Sequence, residues 1–167
     1  ADGSNRFGKN NKWGVFPAGS VAWRASEENW WKDNIRFIDY FKLRGSVSQT
    51  GNDALVDGDG NYDHSIQYLT TYAFNNAGTV FGGQENKRLY PSRTPNPNIT
   101  WEKSMNYNIG VDMNFLNHWR LSADYWYRNT YDILDTRVVS LPNTFSLSMP
   151  AENYGEMKAQ GFDLQLG

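Results

Sequence analysis

Residues 104–116 read SMNYNIGVDMNFL, and this stretch decides the fold. Met105, Tyr107, Ile109, Val111, Met113 and Phe115 are apolar, while Ser104, Asn106, Asn108, Gly110, Asp112 and Asn114 are polar or small. Successive strand side chains point to opposite faces, so an unbroken period of two builds one oily and one wet face. Soluble strands most often run about 5–6 residues. A tilted strand crossing a bilayer needs about 9–11. The length and regularity of this run point to a β wall with unlike surroundings on its two sides.

After Asn117 and His118 the pattern restarts as WRLSADYWYRN. Trp119, Leu121, Ala123, Tyr125 and Tyr127 share one face, and Arg120, Ser122, Asp124, Trp126 and Arg128 share the other. Two alternating runs across a short polar turn predict a β-hairpin. Upstream, YFKLRGSVSQ sets Phe41, Leu43, Gly45 and Val47 against Lys42, Arg44, Ser46 and Ser48. Residues 12–24, KWGVFPAGSVAWR, alternate less strictly, and Pro17, which has no N–H to give a ladder, predicts a bend or irregularity. GFDLQLG alternates Phe162, Leu164 and Leu166 against Asp163 and Gln165 and stops inside the pattern, which reads as a cut.

The connections are unequal: a tight turn at 116–118, but long stretches rich in Gly, Asn, Asp, Pro and Thr at 50–103 and 129–156. Short turns at one end and long loops at the other are the outer-membrane barrel pattern. With 116–118 periplasmic, 104–115 runs down, 119–128 up, 40–49 up and 13–24 down. Residues 25–39 are then a periplasmic turn, and FGKNNK (7–12) is an outer hairpin tip. The tally is six or seven membrane strands, with SIQYLTTYAF an alternative source of extra strands in the first long loop. Trp13, Trp23, Trp119, Tyr125 and Tyr127 fall near strand ends, where amphipathic rings form girdles at both interfaces. Aromatics fill soluble β-sandwich cores equally well, so a carbohydrate-binding sandwich and a complete small 8-stranded barrel stay open at this point.

Composition narrows the function classes. The chain has 167 residues, 39% hydrophobic, with 16 basic and 18 acidic side chains and a formal charge of −2, so it lacks the cationic footprint of a nucleic-acid binder. It has no Cys, which removes disulfides, thiolate metal sites and Cys nucleophiles. The start, ADGSNRFGKNNKWG, has no signal-peptide pattern. No run of 18 apolar residues occurs and the mean hydropathy is −0.71, so no helix is expected to span a membrane. A barrel keeps just such a hydrophilic average, because its apolar band occupies alternate residues.

Five stretches carry a family resemblance: DGSNRFGKNNKWGVFPAGSVAWRASEE, FKLRGSVSQTGN, NPNITWEKSMNYNIGVDMNFL, SADYWYRNTYDIL and GFDLQLG. In this order they resemble the SusC/RagA-like TonB-dependent transporters of the Bacteroidota outer membrane. The resemblance implies a 22-stranded barrel closed by a plug, a SusD-like lipoprotein lid, and TonB-driven import of oligosaccharides or peptides without catalysis. On that basis residues 1–167 are a segment of the barrel domain, with plug and signal peptide outside it, and TonB acts through that plug.

The chemistry-bearing residues fit transport better than catalysis. The two His, His64 and His118, have no ligand spacing, and no G-x-S-x-G, P-loop or dinucleotide fingerprint appears. No cofactor is expected apart from one calcium candidate: DGDGNYDHS offers Asp57, Asp59, Asn61 and Asp63 at alternate positions. Tyr62 stands where the calcium-loop turn wants Gly, Tyr68 where a bidentate Glu belongs, and an ordinary Asp/Gly-rich surface loop accounts for the stretch. Lumen-facing candidates for substrate contact are Asn106, Asn108, Arg120, Asp124, Trp126 and Arg128, with Asp112, Asn114 and Ser122 on the same faces. Trp126 interrupts its polar face, and an inward ring there either stacks on a sugar or packs against the plug or an inward-folded loop.

Overall fold

The computed structural model describes residues 1–167 except 36, 55–65, 76–79, 86, 117 and 137–148. The elements in chain order are β1 (Asp2–Gly3), β2 (Trp13–Gly14), β3 (Ala18–Trp23), a 3₁₀ turn (Ala25–Glu27), α1 (Asn29–Asn34), β4 (Ile38–Asn52), β5 (Thr71–Asn75), β6 (Val80–Phe81), β7 (Gln84–Glu85), β8 (Arg88–Arg93), β9 (Glu102–Phe115), β10 (Trp119–Thr136) and β11 (Ala151–Leu166). Among the described residues no helix is long and apolar enough to cross a membrane, which leaves a strand-built crossing untouched.

The fold grows from β9 and β10. Their antiparallel register runs from Trp119↔Phe115 to Tyr131↔Lys103 without a slip, so like meets like at most steps of each face. Ile109 opposes Tyr125 and Met113 opposes Leu121, while Asn106 opposes Arg128 and Asp112 opposes Ser122. A one-residue slip would turn every apolar side chain of one strand to the wet face, so the side-chain pattern itself fixes the pairing. β4 joins the other edge of β9, where the Leu116 N–H donates to the Phe37 carbonyl (3.2 Å). β3 pairs with β4 through Val21↔Gly45 and Gly19↔Val47. β11 adds beside β10, with a mutual bond pair between Arg120 and Gly167 (2.8 and 3.0 Å). The result is one open sheet ordered β11-β10-β9-β4-β3.

The apolar face of this sheet is exposed rather than packed: Val21 is 77% accessible, Ile109 65%, Phe162 64% and Leu164 63%. A soluble sandwich would bury that face under a second sheet. At about 3.3 Å per residue the apolar run from Met105 to Phe115 is about 33 Å long. Tilted by about 40° it rises about 25 Å, the height of the apolar band of outer-membrane barrels.

Several boundaries move relative to the sequence expectation. Residues 13–24 split at Pro17: Trp13–Gly14 pairs with Asp2–Gly3, and the sheet strand starts only at Ala18. The FGKNNK tip does sit in that small hairpin, closed by Ser4 N–H to Lys12 O (2.9 Å) and Asn11 N–H to Gly8 O (3.0 Å). β10 continues to Thr136 and β11 begins at Ala151, so the second long connection is shorter than 129–156. Five strands share the sheet among the described residues, against the expected six or seven, and β5, which falls in the SIQYLTTYAF alternative, pairs with β8 in a separate ribbon.

Two compact units emerge. The first comprises 1–15, 52–102 and 132–155 and centres on Phe7, Ile99, Trp101 and Ala151, all buried. Phe7 meets Trp101 edge-on at 5.3 Å. Side-chain amides hold its main chain. Asn96 Nδ2 donates to Ala151 O (2.8 Å), and the buried Gln67 accepts the Ala151 N–H at Oε1 (3.2 Å). Asn153 accepts the Thr100 N–H (2.9 Å) and donates to both Thr100 O and Asp132 O (2.8 Å each). Backbone groups outside a ladder need such partners once buried. The NPNITW block is therefore a clasp between segments distant in the chain.

The second unit comprises 16–51, 103–131 and 156–167. Its connection between β3 and β4 is set by aromatic packing. Trp31 is buried and stacks on Phe41 at 4.8 Å, and Trp23 Nε1 donates to Glu28 (3.1 Å). The Lys32 ammonium, hydrogen-bonded to Glu27, and then the Arg24 guanidinium hold the Glu27 carboxyl below its ordinary pKa. A depressed carboxyl contributes stability at neutral pH that is lost as pH falls through its folded value.

At the tight turn Leu116 adopts φ 53°, a left-handed conformation that L side chains pay for by about 1–2 kcal/mol. Leu116→Gly in the intact barrel is expected to be neutral or slightly stabilising, whereas Leu116→Val lowers unfolding stability by about 1 kcal/mol. Denaturant midpoints in detergent check this, and equal values for Val and Leu would contradict the strained turn. Asn153→Ala orphans three backbone groups and is expected to cost about 2–4 kcal/mol. Asn153→Asp, which keeps the acceptor but sets a carboxylate oxygen against the Thr100 and Asp132 carbonyls, is expected to cost at least as much.

Candidate functional site

The polar face of the sheet concentrates charge at its middle. Arg44 of β4 reaches across β9 to β10, placing Nη2 2.6 Å from Asp124 Oδ2 and 3.3 Å from Asp112 Oδ1. Its Nε lies 3.1 Å from Asp112 Oδ2, a charge contact off the hydrogen-bond direction. Ser122 donates to Asp112 Oδ1 (2.8 Å) and accepts from Arg44 Nη2 (3.3 Å). One guanidinium thus ties two carboxylates and a hydroxyl across three neighbouring strands.

Gly110 makes the crossing possible. It is buried directly beneath the guanidinium, opposite Asp124 in the register. A Cβ there would stand 2.5 Å from Asp124 Oδ1 and 2.8 Å from Arg44 Nε. Glycine in a strand often marks such a close approach.

The remaining candidates divide. Arg128 and Asn106 come together, Arg128 Nε donating to Asn106 Oδ1 (2.7 Å). Asn108 opposes Trp126 in the register. The Trp126 indole lies against Gly161 of β11, where a Cβ would come within 2.5 Å of Cζ2. The ring therefore lies on the backbone of the neighbouring strand. Arg120 stands apart near the turn and borders a bay of about 290 Å³ with His118, Ser122 and Gln165. His118 itself is a turn residue, with Nδ1 2.9 Å from Leu116 O.

Arg44 was not among the sequence candidates. Its place on the wet face of FKLRGSVS was readable, but its reach depends on β4 pairing with β9, and 49 residues separate those strands in the chain. Asp57, Asp59, Asn61 and Asp63 lie outside the described residues, as does His64. Among the described residues no group of three His, Cys, Asp or Glu is placed to hold a metal ion.

The profile of the family described as "TonB dependent receptor-like, beta-barrel" matches residues 1–167. TonB-dependent receptor P3 of Formosa agariphila is 32% identical over 166 residues, and TonB-dependent receptor SusC of Bacteroides thetaiotaomicron 32% identical over 169. Each alignment covers 99% of this chain but only 15% and 16% of the relative. Among solved structures, the RagAB peptide transporter superposes with a TM-score of 0.74 at 26% identity. The RagAB peptide importer in its "closed-closed" state gives 0.72 at 25%. Each superposition covers 98% of this chain and 16% of that one.

Gly110→Ala is expected to cost about 2–3 kcal/mol in the intact barrel by forcing the guanidinium off both carboxylates. Gly45→Ala meets Val21 Cγ2 at 3.8 Å and the Asn108 carbonyl oxygen at 3.9 Å, both ordinary contacts, and should shift stability by less than about 0.5 kcal/mol. Thermal unfolding of both variants in detergent checks the contrast; equal losses would remove the special role of Gly110.

Proposed function

Because the chain belongs to the TonB-dependent receptor-like β-barrel family, we propose that residues 1–167 form part of the barrel wall of a SusC-like importer in the outer membrane. Its family is one of receptors and transporters, not enzymes. The observation that carries the reading is the slip-free β9–β10 register, which sorts an exposed apolar face from a charged one along the whole hairpin. The apolar face meets lipid and the polar face lines the lumen. In hydrocarbon an unpaired strand edge is not tolerated, so β3 and β11 take neighbours from elsewhere in the whole protein.

The cargo is an oligosaccharide or a peptide, taken from a SusD-like surface lipoprotein and released inward when TonB acts on a plug within the barrel. Support for this comes from the similarity to SusC and to RagAB, a peptide importer. Within the lumen, Asn106, Asn108, Arg120 and Arg128 offer hydrogen bonds to passing polar groups. Asp124, held by Arg44, keeps the wall rigid, and Trp126, seated on Gly161, shapes it.

In the full-length protein in vesicles, a fluorescent reporter at Val111 is expected to be quenched by bromine-labelled acyl chains, and one at Asp112 to be spared. The reverse pattern would overturn the assignment of faces. Loss of TonB should abolish growth on the cargo, tested against panels of glycans and peptides. Growth independent of TonB would sink the importer reading while leaving the wall intact.

A further inference from the structure

The apolar face of the sheet changes character toward the strand ends away from the 116–118 turn. Val47, Ile109, Ala123 and Phe162 carry no hydrogen-bonding side-chain group. A few residues further out on the same face, the same four strands carry Gln49, Lys103, Asn129 and Lys158. These polar side chains are tied to their neighbours. Gln49 Nε2 donates to the Tyr131 hydroxyl (2.9 Å), and the Lys103 ammonium stands 5.8 Å from the centre of the Tyr131 ring. The Tyr125 hydroxyl donates to Gln160 Oε1 (3.0 Å). Lys158 pairs with Glu156 (3.1 Å), and hydrogen bonds from Lys158 and then Asn129 hold the Glu156 carboxyl below its ordinary pKa. Charged groups are costly in hydrocarbon, so this exposed ion pair marks the level at which the hydrocarbon ends.

The hydrogen-bonding capacity left in this belt is one-sided. Gln160 has used its oxygen on Tyr125, which leaves its NH₂ to donate, and the Tyr131 hydroxyl, having accepted from Gln49, keeps its O–H to donate. Lys158 spends one N–H on Glu156 and keeps the others. The one carboxylate, Glu156, already has two partners. Two Lys against one Glu leave the belt positive. A headgroup that brings acceptor oxygens together with negative charge completes it, and a phosphate brings both.

We propose that Gln49, Lys103, Tyr131, Lys158 and Gln160 form a belt on the outside of the wall that binds the phosphate of an anionic lipid headgroup in the outer leaflet. This rests on the assignment of the apolar face to lipid and selects the kind of lipid met at its outer edge.

Full-length protein in vesicles of phosphatidylcholine with a minority of phosphatidylglycerol, released into detergent and weighed intact by native mass spectrometry, tests the proposal. The retained lipid is expected to be enriched in phosphatidylglycerol over its share of the vesicle. Lys158→Gln should lower that enrichment about fivefold, through the cation lost at the membrane surface. Glu156→Gln should raise it, because Lys158 is released from its partner; an ion pair that only holds the fold would give losses in both variants. Lys42→Gln, the same change of charge on the lumen face, should leave it unchanged. Heat-modifiable migration shows that each barrel has folded. No enrichment in a folded barrel, or equal losses in the Lys158 and Lys42 variants, overturns the proposal. So does a second copy retained in place of lipid, or release of the lipid by inorganic phosphate at matched concentration, which would make this a site for free phosphate. Bromine quenching at Val111 without enrichment removes the belt alone; no quenching there removes the lipid-facing assignment beneath it.

Discussion

Everything in the sheet depends on the demand that backbone N–H and C=O groups be paired along its whole length. A strand facing hydrocarbon has no water to fall back on, so the ladder must run without gaps. That requirement makes register the controlling variable, and register is set by side chains. Between Lys103 and Phe115 an oily residue meets an oily one and a wet residue a wet one at nearly every step, so the favoured alignment is also the one that completes the ladder. Irregularity is pushed to the margins. Pro17 stands just before β3, where its missing N–H costs no ladder bond while its carbonyl still accepts from Gln49 (2.8 Å). Leu116 takes its left-handed φ in the turn, outside the run of paired residues.

The wet face solves a different problem. Side chains there cannot separate into a dry core, so position is fixed by charge and by room. Arg44 bonds across two strands because Gly110 removes the one side chain in its path, and the indole of Trp126 lies against β11 because Gly161 does the same. Both glycines sit at polar positions of the alternating pattern. Each gives up its own packing so that a long side chain can cross a neighbouring strand, and a cross-strand tie gained that way offsets the entropy a glycine loses on folding. The pairing in the centre leaves one more carboxylate than cation, while Arg120 and Arg128 keep positive charge at other heights of the same face.

This division explains what the sequence made legible. Period-two alternation is local, so β9, β10, the hairpin between them and the sides on which Asn106, Asp124 and Arg128 stand could all be read directly. The turn at 116–118 was legible for the same reason. Contacts between strands distant in the chain were not. Nothing in FKLRGSVS says that Arg44 will meet Asp112 and Asp124, because the partner of β4 depends on how residues 53–101 return the chain to the sheet. β10 was read short because the alternation falters after Arg128, where Asn129 puts a polar side chain on the apolar face and Leu134 an apolar one on the polar face, and Asp132 adopts φ 57°. The strand continues there because its ladder and the Asn153 clasp hold it, and a search for alternating hydropathy does not register either.

The amide clasps show how the same chain is organised where no ladder is available. NPNITW has little alternation and reads as a polar loop, yet Ile99 is fully buried and Trp101 nearly so. Burying such a segment strands its backbone groups, and Asn and Gln are suited to the rescue because each carries a donor and an acceptor on one short arm. Gln67, Asn96 and Asn153 therefore belong to the fold as much as Ile99 does. An Asn in this chain has two distinct meanings: at 106, 108 and 114 it wets one face of a strand, and at 96 and 153 it replaces the missing neighbour strand. Composition cannot separate the two, since what differs is whether the adjoining backbone already has a partner.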